Sequence, residues 1–328
     1  MALANLRPRR ARGLPVPATH DRAGDAAAVI FPAEAELRAF AHAAAHLLVE
    51  RVPRLQGARA ISRRPGVGLQ TLDHRDYVPG DEVRHIDWRL SARARKPIVR
   101  RHESESVGDW TLLVDASSSM AVGDGSAWRA AARLTAAMAY ALLHLGHRIG
   151  LVVFGARVLA RVPGGRGAPH YAAIARTLAA LRPAPHGERS ELAACAALLP
   201  GGGSVLVISD FLAADEMRAA LAALRPRCRT LHALQLRDAA AVTLPTTHTA
   251  GTVELVDAET GQRRAAEPGA AAQEAAVRAQ VATTARLRAF AARCGVAFSD
   301  CDTSDPWQQA LLAHLLRAGV QRRGDASR

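Results

Sequence analysis

Several large classes of protein are excluded by what this sequence lacks. It has only four cysteines among 328 residues, and none of them forms a CxxC pair of the kind found in zinc knuckles and thiol redox sites. Aromatic residues make up 4% of the chain, which leaves few rings on which nucleic-acid bases could stack. No apolar run reaches the ~20 residues that a membrane-spanning helix needs. We therefore expect a cytoplasmic protein with reduced thiols.

Lysine is almost absent, since Lys96 is the only one. The formal charge of +13 comes from 43 basic and 30 acidic residues, which are mixed over most of the chain. The near-absence of lysine indicates a coding bias toward arginine, and the mixing of basic with acidic residues argues against a nucleic-acid surface. The Arg-rich segments nevertheless keep nucleic-acid binding open as an alternative. Residues 1–30 are basic and contain no apolar core of a signal peptide, so a disordered basic arm is predicted there.

The hydrophobic pattern predicts an α/β protein. Residues 34–51 have apolar side chains at helical spacing and begin an N-terminal lobe, predicted over 31–106, in which short strands and ordered loops follow. Over 107–320, strands alternate with helices, which is typical of an open, mostly parallel sheet of the Rossmann type with helices on both faces. Residues 321–328 are expected to be a frayed tail.

Individual elements and their ends can also be predicted in this second part. The segment "SAWRAAARLTAAMAYALLHLG" predicts a helix with Ser126 as its N-cap and Gly146 just past its end. A second helix is predicted in "ERSELAACAALLP", where proline ends it. "RVLARV" is expected to form a hairpin with "RIGLVVFG", and "GTVELVDAETG" is a further hairpin candidate.

Two acidic residues stand at the ends of predicted strands. Asp115 follows "WTLLV" and Asp210 follows "VLVIS", and functional sites in open α/β sheets form at the carboxyl ends of strands. In the loop "DASSS", oxygen-bearing side chains alternate at Asp115, Ser117 and Ser119. Carboxylate and hydroxyl oxygens suit Mg²⁺ or Mn²⁺, and Ser190 and Asp210 could add two further ligands from other loops.

Simpler roles remain open for the same side chains. Serine and aspartate commonly cap helices, so "DASSS" could be a capped turn and Asp210 a helix N-cap. Asp124 in "VGDG" is predicted to be a solvated turn residue. The thirteen histidines show no HExxH spacing, and no Gly-rich loop is followed by the Lys-Ser/Thr pair of a P-loop.

The "DASSS" loop resembles the start of the metal-ion-dependent adhesion site of von Willebrand factor type A (vWA) domains, which share the open sheet predicted above. In those domains the remaining ligands are a threonine on a second loop and an aspartate on a third. The resemblance implies that Ser190 replaces the threonine and that Asp210 is the aspartate. It also implies one Mg²⁺ or Mn²⁺ per chain, held by Asp115, Ser117, Ser119, Ser190 and Asp210.

The segment before the sheet carries a second resemblance. "RDYVPGDEVRHIDW", then "SAR" and a basic stretch leading to Glu105, is similar to the signature of a bacterial domain-of-unknown-function family that has a vWA-like domain. Members of that family are typically encoded beside MoxR-type AAA+ ATPases and are thought to act with them. The resemblance implies a soluble member whose partner is such an ATPase or its client protein.

The charged residues of this signature suggest a structural role. Three acids interleave with three arginines, which favours a network of ion pairs in a lobe with little apolar core: Arg75, Asp76, Asp81, Arg84, Asp87 and Arg89. Trp88 is expected to pack this lobe on the sheet. The alternative is an arginine surface that docks an acidic partner or a phosphate.

Together these observations predict a non-enzymatic, metal-dependent protein-binding module, an adaptor of a MoxR-type ATPase in the assembly or maturation of a protein complex. One alternative is a Mg²⁺-dependent phosphotransferase or hydrolase that uses Asp115. Haloacid-dehalogenase-like phosphatases need a second aspartate two residues later, where this chain has Ser117. The other alternative is nucleic-acid binding through the N-terminal arm and residues 89–101, which predicts strongly salt-dependent affinity.

Overall fold

The protein consists of two compact units. The computed structural model describes residues 31–48, 50–52, 71–77, 86–102, 104–106, 108–122, 125–183, 190–238, 253–266 and 269–325. The smaller unit is Val49–Val107, and the larger unit combines Met1–Leu48 with Gly108–Arg328. The first helix, α1 (Glu34–Leu48), therefore belongs to the larger unit. This corrects the sequence-based boundary, which assigns the helix to a lobe at 31–106.

The described residues of the smaller unit form two short antiparallel strand pairs and one helix. Its elements in chain order are β1 (Glu50–Val52), β2 (Thr71–Asp76), α2 (Trp88–Ala94), β3 (Ile98–His102) and β4 (Ser104–Ser106). β1 pairs with β4, and β2 pairs with β3. The short strands agree with the sequence analysis, whereas α2 was not anticipated there.

Helix α2 begins at Asp87 because this residue caps its first turn. The carboxylate accepts hydrogen bonds from the backbone N–H groups of Arg89 and Leu90 at 3.1 and 3.0 Å. Asp87 thus serves as a helix cap within the predicted charge network. The Trp88 side chain is 65% exposed, so it does not fill the core of the smaller unit, and its packing against the sheet stays a prediction.

One acid of the predicted network, Asp76, has a described ion pair, and its partner is Lys96, which the prediction did not include. Lys96 binds Asp76 at 2.9 Å, and both side chains are more than half exposed. Such a pair is screened by solvent and contributes little to stability. Asp81 and Arg84 lie outside the described residues, as does the side chain of Arg75, so their predicted ion pairs stay predictions.

The larger unit is built around one sheet with helices on both faces. Its remaining elements are β5 (Asp109–Asp115), α3 (Ser126–His144), β6 (Arg148–Phe154), β7 (Val158–Gly165), α4 (Ala168–Ala180), β8 (Ser204–Ser209), α5 (Ala214–Leu224), β9 (Thr230–Arg237), β10 (Val253–Val256), β11 (Arg263–Ala266), α6 (Ala270–Arg293), β12 (Val296–Asp302) and α7 (Trp307–Asp325). Short 3₁₀ turns lie at Ser118–Ala121, Leu192–Leu198 and Arg225–Arg227.

The central sheet has six strands in the order β12-β9-β8-β5-β6-β7. All neighbours are parallel except β6 and β7, which form the predicted hairpin. The chain runs from β5 outward to β7 and then crosses to β8 on the other side of β5. Strand order therefore reverses between β5 and β8, which is where open α/β sheets form a crevice for ligands. The predicted fold class is confirmed.

Alternating side chains along the strands fill two cores. In β5, Leu112 and Val114 face the core that α1, α3, α4 and α7 cover, whereas Leu113 faces the core that α5 and α6 cover. Helix α3 is almost wholly buried because α1, α4 and α7 all pack against it. The strands, and hence the loops at their carboxyl ends, are fixed from both faces.

Three details differ from the predictions. Gly125, with φ of 74°, precedes α3 as its N-cap, and the Ser126 hydroxyl instead donates to the Asp238 carboxylate. Leu192–Leu198 forms a 3₁₀ helix where an α-helix was predicted. Helix α7 continues to Asp325, so helix replaces the first five residues of the predicted frayed tail.

The second predicted hairpin is present as the antiparallel pair of β10 and β11. The predicted basic arm at 1–30 and Asp124 lie outside the described residues. None of the helices in the described part of the chain combines the length and the apolar composition needed to cross a bilayer.

Candidate metal centre

The predicted site residues meet at the carboxyl ends of β5 and β8. The register places Val114 opposite Ile208, so the residues that follow, Asp115 and Ser209, are neighbours across the two strands. Hydrogen bonds join the five predicted residues in two groups. Ser190 is bonded to Asp115, while Ser119 is bonded to both Ser117 and Asp210. The Ser117 backbone N–H, which donates to Asp115, connects the two groups. Ser190 and Asp210, which lie 75 and 95 positions after Asp115 in the chain, are thus brought close to it.

Asp115 is fully buried, as is Ser117. Its Oδ1 accepts a hydrogen bond from the Ser117 backbone N–H at 2.9 Å. Its Oδ2 accepts from the hydroxyls of Ser190 at 2.9 Å and Ser209 at 2.7 Å. Burial raises the pKa of Asp115, while these hydrogen bonds oppose the rise. A hydroxyl that donates its proton to this carboxylate keeps oxygen lone pairs for a cation.

Ser117 and Ser119 lie on a tight turn that follows β5. The Ala116 N–H donates to the Phe154 carbonyl at 2.7 Å, which extends the strand pairing, and the Met120 N–H donates to the Ser117 carbonyl at 3.1 Å. The Ser117 and Ser119 Oγ atoms are 3.1 Å apart. The Ser117 side chain makes no capping hydrogen bond to the turn. The Ser117 hydroxyl therefore does not cap this turn, but the Asp115 carboxylate does so through the Ser117 N–H, so the capped-turn alternative holds for Asp115.

Ser190 reaches the cluster from a loop beside β6. The Glu191 N–H donates to the Gly155 carbonyl at 2.8 Å, so this loop is attached just past the end of β6. The Ser190 side chain is buried and its hydroxyl points at Asp115. The predicted residue Ser190 thus lies beside Asp115.

Asp210 is half-buried and follows β8 on a constrained backbone. The next residue, Phe211, has φ of 53°, a left-handed conformation that is strained for an aromatic residue. The Asp210 carbonyl accepts from Gln235 Nε2 at 2.9 Å, and its Oδ1 accepts from the Leu212 N–H at 3.1 Å. Helix α5 begins only at Ala214, so the alternative that Asp210 is its N-cap is wrong.

The two carboxylates of the cluster repel each other. The Asp210 side chain is hydrogen-bonded to Ser119, and burial followed by the charge of Asp115 raises the pKa of Asp210 to about 6. No lysine or arginine among the described residues forms an ion pair with either Asp115 or Asp210. Two acids held together in this way favour a cation between or beside them.

The chemistry of the cluster suits a hard divalent cation. Neighbouring ligands of an octahedral ion at ~2.1 Å lie about 3.0 Å apart, close to the 3.1 Å between Ser117 Oγ and Ser119 Oγ. The nearby Cys195 thiol has its pKa raised to about 12 by burial and by Asp115, so it does not supply a thiolate. The described residues contain no cluster of three or more His, Cys, Asp or Glu that could hold a metal, so hydroxyl oxygens would have to complete the set.

Ser209 is a member of the cluster that the sequence analysis missed. Its hydroxyl donates to Asp115 and accepts a hydrogen bond from the Phe211 N–H at 2.9 Å. It therefore positions both Asp115 and the strained turn after Asp210. The only signal for it was its place at the end of the strand "SVLVIS", and its partner lies 94 residues away in sequence.

Comparisons with known proteins cover both the signature segment and the cluster. The family described as "Protein of unknown function DUF58" matches residues 73–289. Uncharacterized proteins of Mycobacterium tuberculosis and Mycobacterium bovis are 31% identical to this chain over 268 residues, which is 80% of this chain and 82% of theirs.

Proposed function

We propose that this chain, which belongs to the family of proteins of unknown function DUF58, is a metal-dependent protein-binding module with no catalytic activity of its own. The single observation that carries this proposal is the convergence of oxygen-bearing side chains from three loops. Two of their hydroxyls are spaced like neighbouring ligands of an octahedral ion. Mg²⁺ or Mn²⁺ would be held by Asp115, Ser117, Ser119, Ser190 and Asp210.

Each side chain of the proposed site would have its own role. The Ser117 and Ser119 hydroxyls are the ligands on the loop that follows β5. Asp115 orients the Ser190 hydroxyl by accepting its proton in a hydrogen bond at 2.9 Å. Asp210, hydrogen-bonded to Ser119, adds the second negative charge from the end of β8.

The partner is proposed to be a protein that presents an aspartate or glutamate. The five side chains supply five oxygens to an ion that prefers about six, so one coordination position stays open for such a carboxylate. The resemblance of the segment "RDYVPGDEVRHIDW" to proteins that act with MoxR-type AAA+ ATPases supports a cytoplasmic ATPase of that class, or its client, as this partner. The chain would then connect ATP hydrolysis to the assembly or maturation of another complex.

The test compares three serines of one loop. Ser118 lies between Ser117 and Ser119 and is equally buried, but it is not part of their hydroxyl pair. We expect Ser117→Ala and Ser119→Ala to weaken Mg²⁺ and Mn²⁺ binding in calorimetry by roughly tenfold or more, and Ser118→Ala to keep it. Pull-down of a co-purified MoxR-type ATPase should be lost in EDTA and in the same two variants.

Two results would contradict the proposal. Absence of heat and of a thermal shift when Mg²⁺ or Mn²⁺ is added to the wild-type protein would remove the metal site. Recovery of the ATPase at the same level in EDTA, or with Ser117→Ala protein, would remove the metal as the link between partners.

A further inference from the structure

A cavity of about 300 Å³ opens on one face of the central sheet, at the amino ends of β5 and β6. Its volume is at the lower end of the range for small-molecule sites. It lies away from the candidate metal centre, because Thr111 in its lining precedes Asp115 by four positions, or about 13 Å, along β5.

The floor of the cavity lies where two neighbouring strands carry glycine. Gly150 of β6 is opposite Thr111 in the strand register, so the β6 position beside the threonine carries no side chain. Gly164 of β7 also lines the cavity. A methyl group on Gly150 would lie 3.6 Å from the Gly164 backbone nitrogen, so the two glycines are side by side. Together they leave a depression in the face of the sheet.

Thr111 contributes a hydroxyl to this depression. Its neighbours Trp110 and Leu112 fill the core on the opposite face, so alternation along β5 places the Thr111 side chain on the face of the cavity. The residue is 7% exposed, and among the described residues its hydroxyl has no hydrogen-bond partner. A hydroxyl buried to this extent is unfavourable unless a water or a ligand satisfies it.

Arginines flank the depression at both of its ends. Along β6, Arg148 lies two positions before Gly150 and Val152 two positions after it, all on one face. Arg148 Nε donates to the Gly164 carbonyl at 3.2 Å, so its side chain lies across the neighbouring glycine. At the other end, Arg161 of β7 is paired with Val152 and shares its face.

The lining of the cavity carries an excess of positive charge. It contains the two arginines, Arg148 and Arg161, and one acid, Asp109. Asp109 Oδ2 is 3.7 Å from Arg148 Nη1, and because both side chains are partly exposed this pair is weak. Arg161 has no hydrogen bond or ion pair among the described residues. Residues 197–200 add an apolar wall.

We propose that this cavity binds a small organic anion, in which a carboxylate or phosphate group is carried on an apolar body. The anionic group lies over Gly150, between the guanidinium groups of Arg148 and Arg161, which suit such oxygens. It accepts a hydrogen bond from the Thr111 hydroxyl, and the apolar body packs against residues 197–200. Binding goes beyond the proposed function, because no residue of this lining belongs to the metal centre.

Calorimetry with benzoate, phenyl phosphate and benzamide tests this inference. The full chain is titrated in buffer free of divalent ions, so that no anion binds through a metal. We expect both anions to bind with a dissociation constant of about 1 mM or below. Benzamide, an uncharged match for benzoate, should bind at least tenfold more weakly, because it offers the arginines no charge.

Three substitutions locate the site within the fold. Thr111→Val removes the hydroxyl, Arg161→Met removes the unpaired charge, and Gly150→Ala partly fills the depression. We expect each to weaken binding of both anions by roughly fivefold or more. The new methyl of Gly150→Ala would lie no closer than 3.6 Å to its neighbours, so the fold is retained. Arg176→Met is the matched control, since Arg176 is an exposed arginine of α4, which covers the other face of the sheet.

Several results would contradict the inference. It is wrong if neither anion binds the wild-type protein, or if benzamide binds as well as benzoate. It is also wrong if Arg176→Met weakens binding as much as Arg161→Met, because the anions then respond to net charge and not to the cavity. Binding of a hexaglutamate peptide in place of the small anions would make the cavity a protein-docking surface. None of these results bears on metal binding, so the proposed function is tested separately.

Discussion

The side chains of the candidate centre are positioned by hydrogen bonds that leave their charges unbalanced. Asp115 receives one backbone N–H and two hydroxyl donors, and still has its pKa raised because burial outweighs them. Burial also raises the pKa of Asp210, and the charge of Asp115 raises it further. Folding therefore brings acids together at this point at a cost in stability, which the proposed cation would offset.

The pH dependence of stability reports this cost at Asp210. Its pKa of about 6 in the folded protein lies above the ordinary value of 3.8, so between these pH values the folded state binds more protons than the unfolded state. Stability of the metal-free protein should fall as pH rises through that window. Asp210→Asn removes the loss, so we expect a higher melting temperature in EDTA at pH 7.5 and no gain near pH 4.

The same Asp210→Asn variant should bind Mg²⁺ more weakly at pH 7.5, because one of two negative charges is gone. Asp215→Asn is the control, since Asp215 is an exposed acid paired with Arg218 on α5. It should show neither the pH-dependent gain nor weaker metal binding. A gain for Asp210→Asn of equal size at both pH values would show that the charge at Asp210 is not its cause.

At the scale of elements, periodicity predicts which segments form helices and strands better than it predicts what they contact. The apolar face of α1 is evident in Leu37, Phe40 and Ala41, and all three are buried. The pattern does not say that α3 and α7 cover this face, because those helices lie far away in sequence. The helix was predicted correctly, and its assignment to the N-terminal lobe was wrong for this reason.

Phe40→Ala tests where α1 packs. The Phe40 ring is buried and meets Trp307 of α7 edge to face, with ring centroids 5.3 Å apart. Truncating a buried phenylalanine costs about 3–5 kcal/mol, and we expect faster hydrogen exchange in α3 and α7. Arg38→Ala, on the exposed face of α1, should change exchange little. Faster exchange confined to the strands of the smaller unit would contradict the packing.

For the whole molecule, the predictable part of the site follows from one property of parallel sheets. Strands that run the same way end at the same edge, so the acids after "WTLLV" and "VLVIS" could be expected to meet without knowledge of the strand order. The contact of Ser209 with Asp115 required β8 to be the direct neighbour of β5. Ser209 became identifiable only from the structure.

The division into two units yields the last prediction. Every proposed ligand belongs to the larger unit, so a bound ion should stabilise that unit and leave the smaller one unaffected. Free Mg²⁺ at 100 times its dissociation constant stabilises the state that binds it by about 2.7 kcal/mol, which raises the melting temperature of a domain of this size by roughly 5–10 °C. Hydrogen exchange should slow at the carboxyl ends of β5 and β8 and stay unchanged in β2 and β3. Ser117→Ala protein at the same Mg²⁺ concentration should show neither effect, and equal slowing in both units would mean that the ion acts elsewhere.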